Sequence, residues 1–394
     1  MTLDAPSAPP PAEPESPTRT STLIQREIVL VAALSAIAVI MFFVTRAFAG
    51  WDRAVTARTA AHSYLAGQRL AAQGRVEEAI RSLRDAAADE PDNIPYALDL
   101  ARALTTTHRA AEARRILLTL RESNPEDGAV NLELARLTAQ AGEADESVRY
   151  YHNAIYGVWT GSDARLRQRD ARRELVQVLL AAGNRSAALS ELLALTADMP
   201  STAAAETELA SLFARAGDHE RAFEHFRRAI DEDSTNQTAL AGAGEQAFAL
   251  RDYTSAIRYL SSAENAGAQV QPLLDVARLV RSADPLSPHL QPADRVRRLA
   301  AALDHLADRL RTCEATAAAE QPPSSTGDLQ AAVAEVAGLQ AMLQHAPANP
   351  GHDVIVDALA AIARAETAAN LGCGPPAALD RALLEIGRIH GGEQ

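Results

Sequence analysis

Apolar residues fall into two regimes along this chain. Between Ile28 and Val44 they are continuous: IVLVAALSAIAVIMFFV carries no charge across seventeen residues. From about residue 60 onward they recur every three or four positions, with charged and polar residues between. That spacing is the period of an amphipathic helix. In GDHERAFEHFRRAID, residues 217–231, it predicts a buried stripe of Ala222, Phe226 and Ala229. Beyond residue 270, PADRVRRLAAALDHLADRLRTCEA puts Val296, Leu299, Leu303, Leu306 and Leu310 on one face. Two more helices are predicted over Leu329–His345 and Val354–Leu371, and a last one after CGPP carrying Leu379, Leu383, Leu384 and Ile386. AAAEQPPSSTG, about 317–327, reads as a loop between helices.

The helical pattern repeats. Aligned on one small residue, the chain gives Ala79, Ala113 and Ser147, then Ala188, Ala222 and Ala256, each set stepping by 34. Seven extra residues near TGSDARL separate the sets. Twelve positions before the small residue stand Gly67, Ala101, Ala135, Val176, Ala210 and Gly244. Five before it stand Gly74, His108, Gly142, Gly183, Gly217 and Arg251. Four after it stand Leu83, Leu117, Tyr151, Leu192, Phe226 and Leu260, and seven after it Ala86, Leu120, Ala154, Leu195, Ala229 and Ala263. Pro91, Pro125 and Pro200 close three of the units. Small residues let paired helices approach, glycine admits a left-handed turn between them, and proline ends the second helix.

This register resembles the tetratricopeptide repeat family, whose 34-residue units are helix–turn–helix hairpins. The resemblance covers six units, about 60–93, 94–127, 128–161, 169–202, 203–236 and 237–270. It implies an all-α fold: an α-solenoid spanning 60–270, with the helices of 271–394 as a C-terminal cap or small helical domain. His108 and Arg251 depart from the pattern at the turn glycine, and Val176 at a small position. The resemblance further implies a protein–protein interaction scaffold that binds a peptide or protein segment in its concave groove. Carried over by position, the groove residues are Tyr64, Gln68, Arg102, Thr106, Arg136, Gln140, Arg173, Gln177, Arg215, Glu245 and Phe248. Four arginines among them suggest an acidic partner. The alternative is a structural or oligomeric spacer with no groove ligand.

The uncharged run, extended through Ala49, is long enough to cross a bilayer. Residues 23–49 are therefore expected to form a transmembrane signal-anchor after a Pro-rich, unfolded tail at 1–22. A cleavable signal competes with this reading, because AFA at Ala47–Ala49 precedes Gly50. Flanking arginines are nearly balanced, so orientation rests on the signal-like features and the cysteines; both favour an exported soluble part. Cys313 and Cys373 fit no metal or redox spacing. In an oxidising compartment they would pair; in a reducing one they would be buried thiols.

Composition narrows the function classes. Apolar residues are 47%, charged 23% and aromatic 4%, which favours closely packed helices over a β-sandwich. Net charge is −13 and every basic residue is arginine. That balance argues against nucleic-acid binding. No nucleotide-loop, hydrolase-elbow or metal motif occurs, so neither an enzyme nor a cofactor is expected. AGAGE at Ala241–Glu245 has no strand before it. His219, Glu220, Glu224 and His225 are ligand-type residues, but the two histidines stand six apart, roughly 240° around a helix. They are expected at the turn and first turns of the fifth unit, between buried positions.

Overall fold

The computed structural model describes residues 19–320, 326–345 and 350–391. Of the predicted tail, residues 1–18 lie outside the described residues, as do 321–325 of the predicted loop. Among the described residues there are seventeen α-helices and no strand, only one isolated bridge between Asp127 and Val158. The chain divides into two compact units, residues 1–159 and 160–394.

The first unit holds three hairpins: α1 (Arg19–Ala72) with α2 (Val76–Asp89), α3 (Ile94–Thr106) with α4 (Ala110–Ser123), and α5 (Gly128–Gln140) with α6 (Ala144–Tyr156). Asn93 and Asp127 cap α3 and α5 by accepting backbone N–H groups that the helix leaves unpaired. The small positions Ala79, Ala113 and Ser147 are fully buried, and Leu83, Leu117 and Tyr151 fill the space one turn later. A β-carbon on Gly67 would stand 2.7 Å from Leu83 Cγ, so the hairpin closes to a distance only glycine allows. The Ser147 hydroxyl donates to the Ala135 carbonyl at 3.0 Å, which satisfies its burial. At the turn, Gly74 and Gly142 hold φ of 76° and 78°; His108 holds 60° in the same left-handed region. After α6 the chain folds back: Trp159 donates to the Ala154 carbonyl at 2.8 Å and covers Gly128.

Helix α1 is apolar enough between Arg26 and Ala72 to include a membrane span, and none of its apolar window is buried. Its last residues are also the first helix of the first hairpin; Ala60 and Gly67 are buried there. No break separates the two stretches.

The second unit holds three more hairpins: α7 (Ala164–Ala181) with α8 (Arg185–Asp198), α9 (Ala203–Ala216) with α10 (His219–Glu232), and α11 (Gln237–Ala249) with α12 (Tyr253–Asn265). Ala188, Ala222 and Ala256 are fully buried, as are Leu192 and Leu260. Helices α13 (Gln271–Ala283), α14 (Pro292–Glu320), α15 (Thr326–Gln344), α16 (His352–Gly372) and α17 (Ala378–His390) follow. They share one continuous core with α11 and α12. Each large apolar side chain buried there contributes about 1.5–3 kcal/mol. Leu299, Leu303, Leu306 and Leu310 are buried as their spacing predicts, while Val296 is half-buried. Helix α17 packs back on α13, and His390 meets Asp284 at 3.0 Å.

Helices α14, α16 and α17 meet along a polar seam. Arg309 pairs with Glu366 and donates to Asn370 Oδ1 at 2.9 Å, and its Nε lies 3.4 Å from Asp380 Oδ2. His305 lies 2.7 Å from Asp380 Oδ1. One turn beyond Arg309, Cys313 is disulfide-bonded to Cys373. Glu366 is fully buried and its Oε1 has no hydrogen-bond partner. Burial raises its carboxyl to about 7 although Arg309 opposes the shift.

Candidate protein-interaction faces

The eleven residues predicted to line a groove divide between the units. In the first unit they lie on α1, α3 and α5, and most are tied into one ladder. Tyr64 donates to Asp99 Oδ2 at 2.7 Å, and its ring stacks on Tyr96 at 4.4 Å. Gln68 donates to the same carboxylate at 3.0 Å. Arg102 donates to Asp99 Oδ1 at 2.9 Å and, across to the next hairpin, to Glu133 Oε1 at 2.7 Å. Arg136 donates to that same Glu133 oxygen at 3.0 Å. Thr106 turns its hydroxyl back onto the Ala103 carbonyl at 2.8 Å, and Gln140 is exposed.

The electrostatics follow from this ladder. Burial and the bond to Asp99 push the Tyr64 phenol up to about 12. Burial works against the Arg102 charge, but Glu133 and Asp99 outweigh it and raise its pKa. The two guanidinium groups expected to await an acidic partner therefore already hold carboxylates of their own chain. Such pairs stabilise the stack modestly, about 0.2–1 kcal/mol each where exposed.

The second unit differs. On α7, Arg173 makes only long contacts, 3.4 Å to Asp170 and 3.5 Å to Glu208, and Gln177 is exposed. Arg215 is exposed on the last turn of α9 and makes no ion pair among the described residues. Glu245 on α11 likewise has no partner there, and desolvation raises its carboxyl. Phe248 is half-buried and meets Tyr253 edge-on at 5.2 Å.

The histidines of 217–231 take separate paths. His219 shares a 2.8 Å hydrogen bond with Gln246 on α11. His225 was expected between buried positions, yet it is buried, at 4% exposure. It stands three residues after Ala222, close enough in angle for α9 to cover it. There it bonds Glu206 at 2.6 Å and stacks on Phe213 at 5.2 Å. Among the described residues, no group of three or more His, Cys, Asp or Glu side chains could hold a metal.

Tetratricopeptide repeat profiles match residues 70–133 and 173–237, one stretch in each unit. The chain is a tetratricopeptide repeat protein. Solved structures of other repeat proteins align at low scores. PilF of Pseudomonas aeruginosa is 14% identical over 53% of this chain and 92% of its own, with a TM-score of 0.41. PilW, a type IV pilus biogenesis factor, is 17% identical over 52% and 92%, with a TM-score of 0.40. YrrB, described as having an unusual peptide-binding site, is 14% identical over 49% and 94%, with a TM-score of 0.39. Likenesses this distant carry no functional information. No curated protein matches the chain.

Repeat proteins of this family act as interaction scaffolds, so the exposed faces of the first helix in each hairpin are the surfaces to weigh. Sequence reasoning missed Asp99 and Glu133, which neutralise the first unit's face. Their signal is in the repeat itself: Asp-Leu-Ala-Arg at 99–102 recurs as Glu-Leu-Ala-Arg at 133–136. In the second unit the acid persists at Glu174 and Glu208, but the arginine becomes Gln177 and Ser211.

Proposed function

We propose that this tetratricopeptide repeat protein is a membrane-anchored scaffold, with repeats over 60–270, a helical cap over 271–394 and a peptide or protein segment as its ligand. The observation that carries the reading is the unbroken helix α1, which joins an unburied apolar stretch directly to the first repeat hairpin. An unburied run of this length and composition is expelled from water into a bilayer. The anchor at 23–49 would then hold the first hairpin, which is continuous with it, next to the membrane. The Cys313–Cys373 bond supports an exported soluble part, because such bonds persist in oxidising compartments.

A photo-reactive amino acid at Gln177 or Arg215 tests the scaffold, with the outward-facing Arg228 of α10 as the comparison. A discrete cross-linked product from the first two positions and none from Arg228 is the expected result. Equal products from all three, or none from any, would refute it. Protease added to sealed cells tests the topology: digestion of the repeats is expected, and protection until lysis would refute export.

One observation favours the alternative spacer role for the first unit. Its face is already neutralised by the Asp99–Arg102–Glu133–Arg136 ladder, so a charged ligand would have to displace internal pairs. Under this reading the first unit serves as a stiff stalk.

A further inference from the structure

The two faces carry the same repeat in two electrostatic states. In the first unit, the charges on α3 and α5 that are placed for recognition close on one another at 2.7–3.0 Å. In the second, the pattern that would close them is interrupted at Gln177 and Ser211, and at Glu245 the charge is inverted. Two groups are left over. Arg215, in the last turn of α9, is exposed and makes no ion pair among the described residues, in a chain with 51 acidic residues and 38 basic ones. Glu245 sits exposed on the adjacent helix α11 and makes no ion pair among the described residues. Phe248, one turn past Glu245, adds an apolar surface that its edge contact with Tyr253 holds in place.

We infer that recognition belongs to the second unit's face, and that its ligand is an extended segment carrying both a carboxylate, for Arg215, and a lysine or arginine, for Glu245. This rests on the scaffold reading above and narrows it. The charges of the site are opposite, so a purely acidic segment would meet repulsion at Glu245 and a purely basic one at Arg215. Adjacent packed helices lie about 8–10 Å apart, and an extended chain advances roughly 3.3 Å per residue. The two ligand charges therefore stand about three residues apart, with an apolar residue beside the basic one to meet Phe248. Arginine adds direction, because its planar fork binds a carboxylate through two parallel bonds.

Peptide display against the full chain in lipid nanodiscs tests this. Selected peptides are expected to combine Asp or Glu with Lys or Arg about three residues apart. Their affinity is expected to fall at least tenfold for Arg215→Ala with Glu245→Ala. The exchange Arg215→Glu with Glu245→Arg keeps the total charge and is expected to favour the peptide with its two charges reversed. Circular dichroism melting checks that each variant is folded. Peptides that bind the double alanine variant as tightly as the original chain would overturn the inference. Peptides that instead lose affinity on Arg102→Ala with Arg136→Ala would also overturn it, while leaving the scaffold reading intact. A selection that enriches nothing would count against both.

Discussion

Replacing Glu366 with glutamine is expected to remove a pH dependence from the stability of the second unit. The side chain is fully buried, one of its oxygens has no partner, and it shares Arg309 with a second carboxylate, Asp380. Burial raises its carboxyl from 4.5 to about 7. Below pH 4.5 the group is protonated both folded and unfolded, and burial carries no ionisation penalty. As pH rises toward 7, the unfolded chain releases the proton that the folded chain retains, so stability falls. At about 1.4 kcal/mol per pH unit, the loss is roughly 3 kcal/mol above pH 7. For a domain of this size that corresponds to roughly 6–12 °C of melting temperature. Glutamine has the shape of the protonated acid and leaves Arg309 balanced by Asp380 alone. The Glu366→Gln variant should therefore match the original chain near pH 5 and melt higher at pH 8. Thermal unfolding of both proteins from pH 5 to 8 is the assay, and the difference between them isolates the contribution of Glu366 from groups that do not interact with it. Parallel curves across that range would refute the argument.

Three further outcomes follow from the packing. Ala222 is fully buried between hairpin helices, so Ala222→Leu should destabilise the second unit by about 1–3 kcal/mol; an unchanged melting temperature would show that the position has room. His108 and Arg251 hold left-handed backbone at φ of 60° and 63° where four other repeats use glycine, so His108→Gly or Arg251→Gly should stabilise by up to about 1 kcal/mol, read from denaturant midpoints. Reducing Cys313–Cys373, which closes a 60-residue separation, should cost about 4 kcal/mol in the chain-entropy account, measured by melting with and without reductant.

Local pattern determined the repeat fold. The small and large apolar positions, read at a step of 34, became the buried stripes of six hairpins, because a 3.6-residue helix places them on one face whatever lies opposite. The left-handed turns at His108 and Arg251 also follow from register alone, since the hairpin needs that conformation even when the residue resists it.

What faces what was decided only in three dimensions. Nothing in the helical period says that Arg102 reaches Glu133 across 31 residues, or that His305 and Arg309 meet Asp380 on α17; those bonds exist because stacked helices bring distant side chains within 2.7–3.4 Å. His225 shows the same limit. Its own helix leaves it at the margin of the stripe, and its burial depends on how closely α9 approaches. Charge pairing acts over a few ångströms between separate elements, whereas periodicity describes one element at a time; the fold was therefore legible along the chain, and the electrostatic state of its surfaces was not.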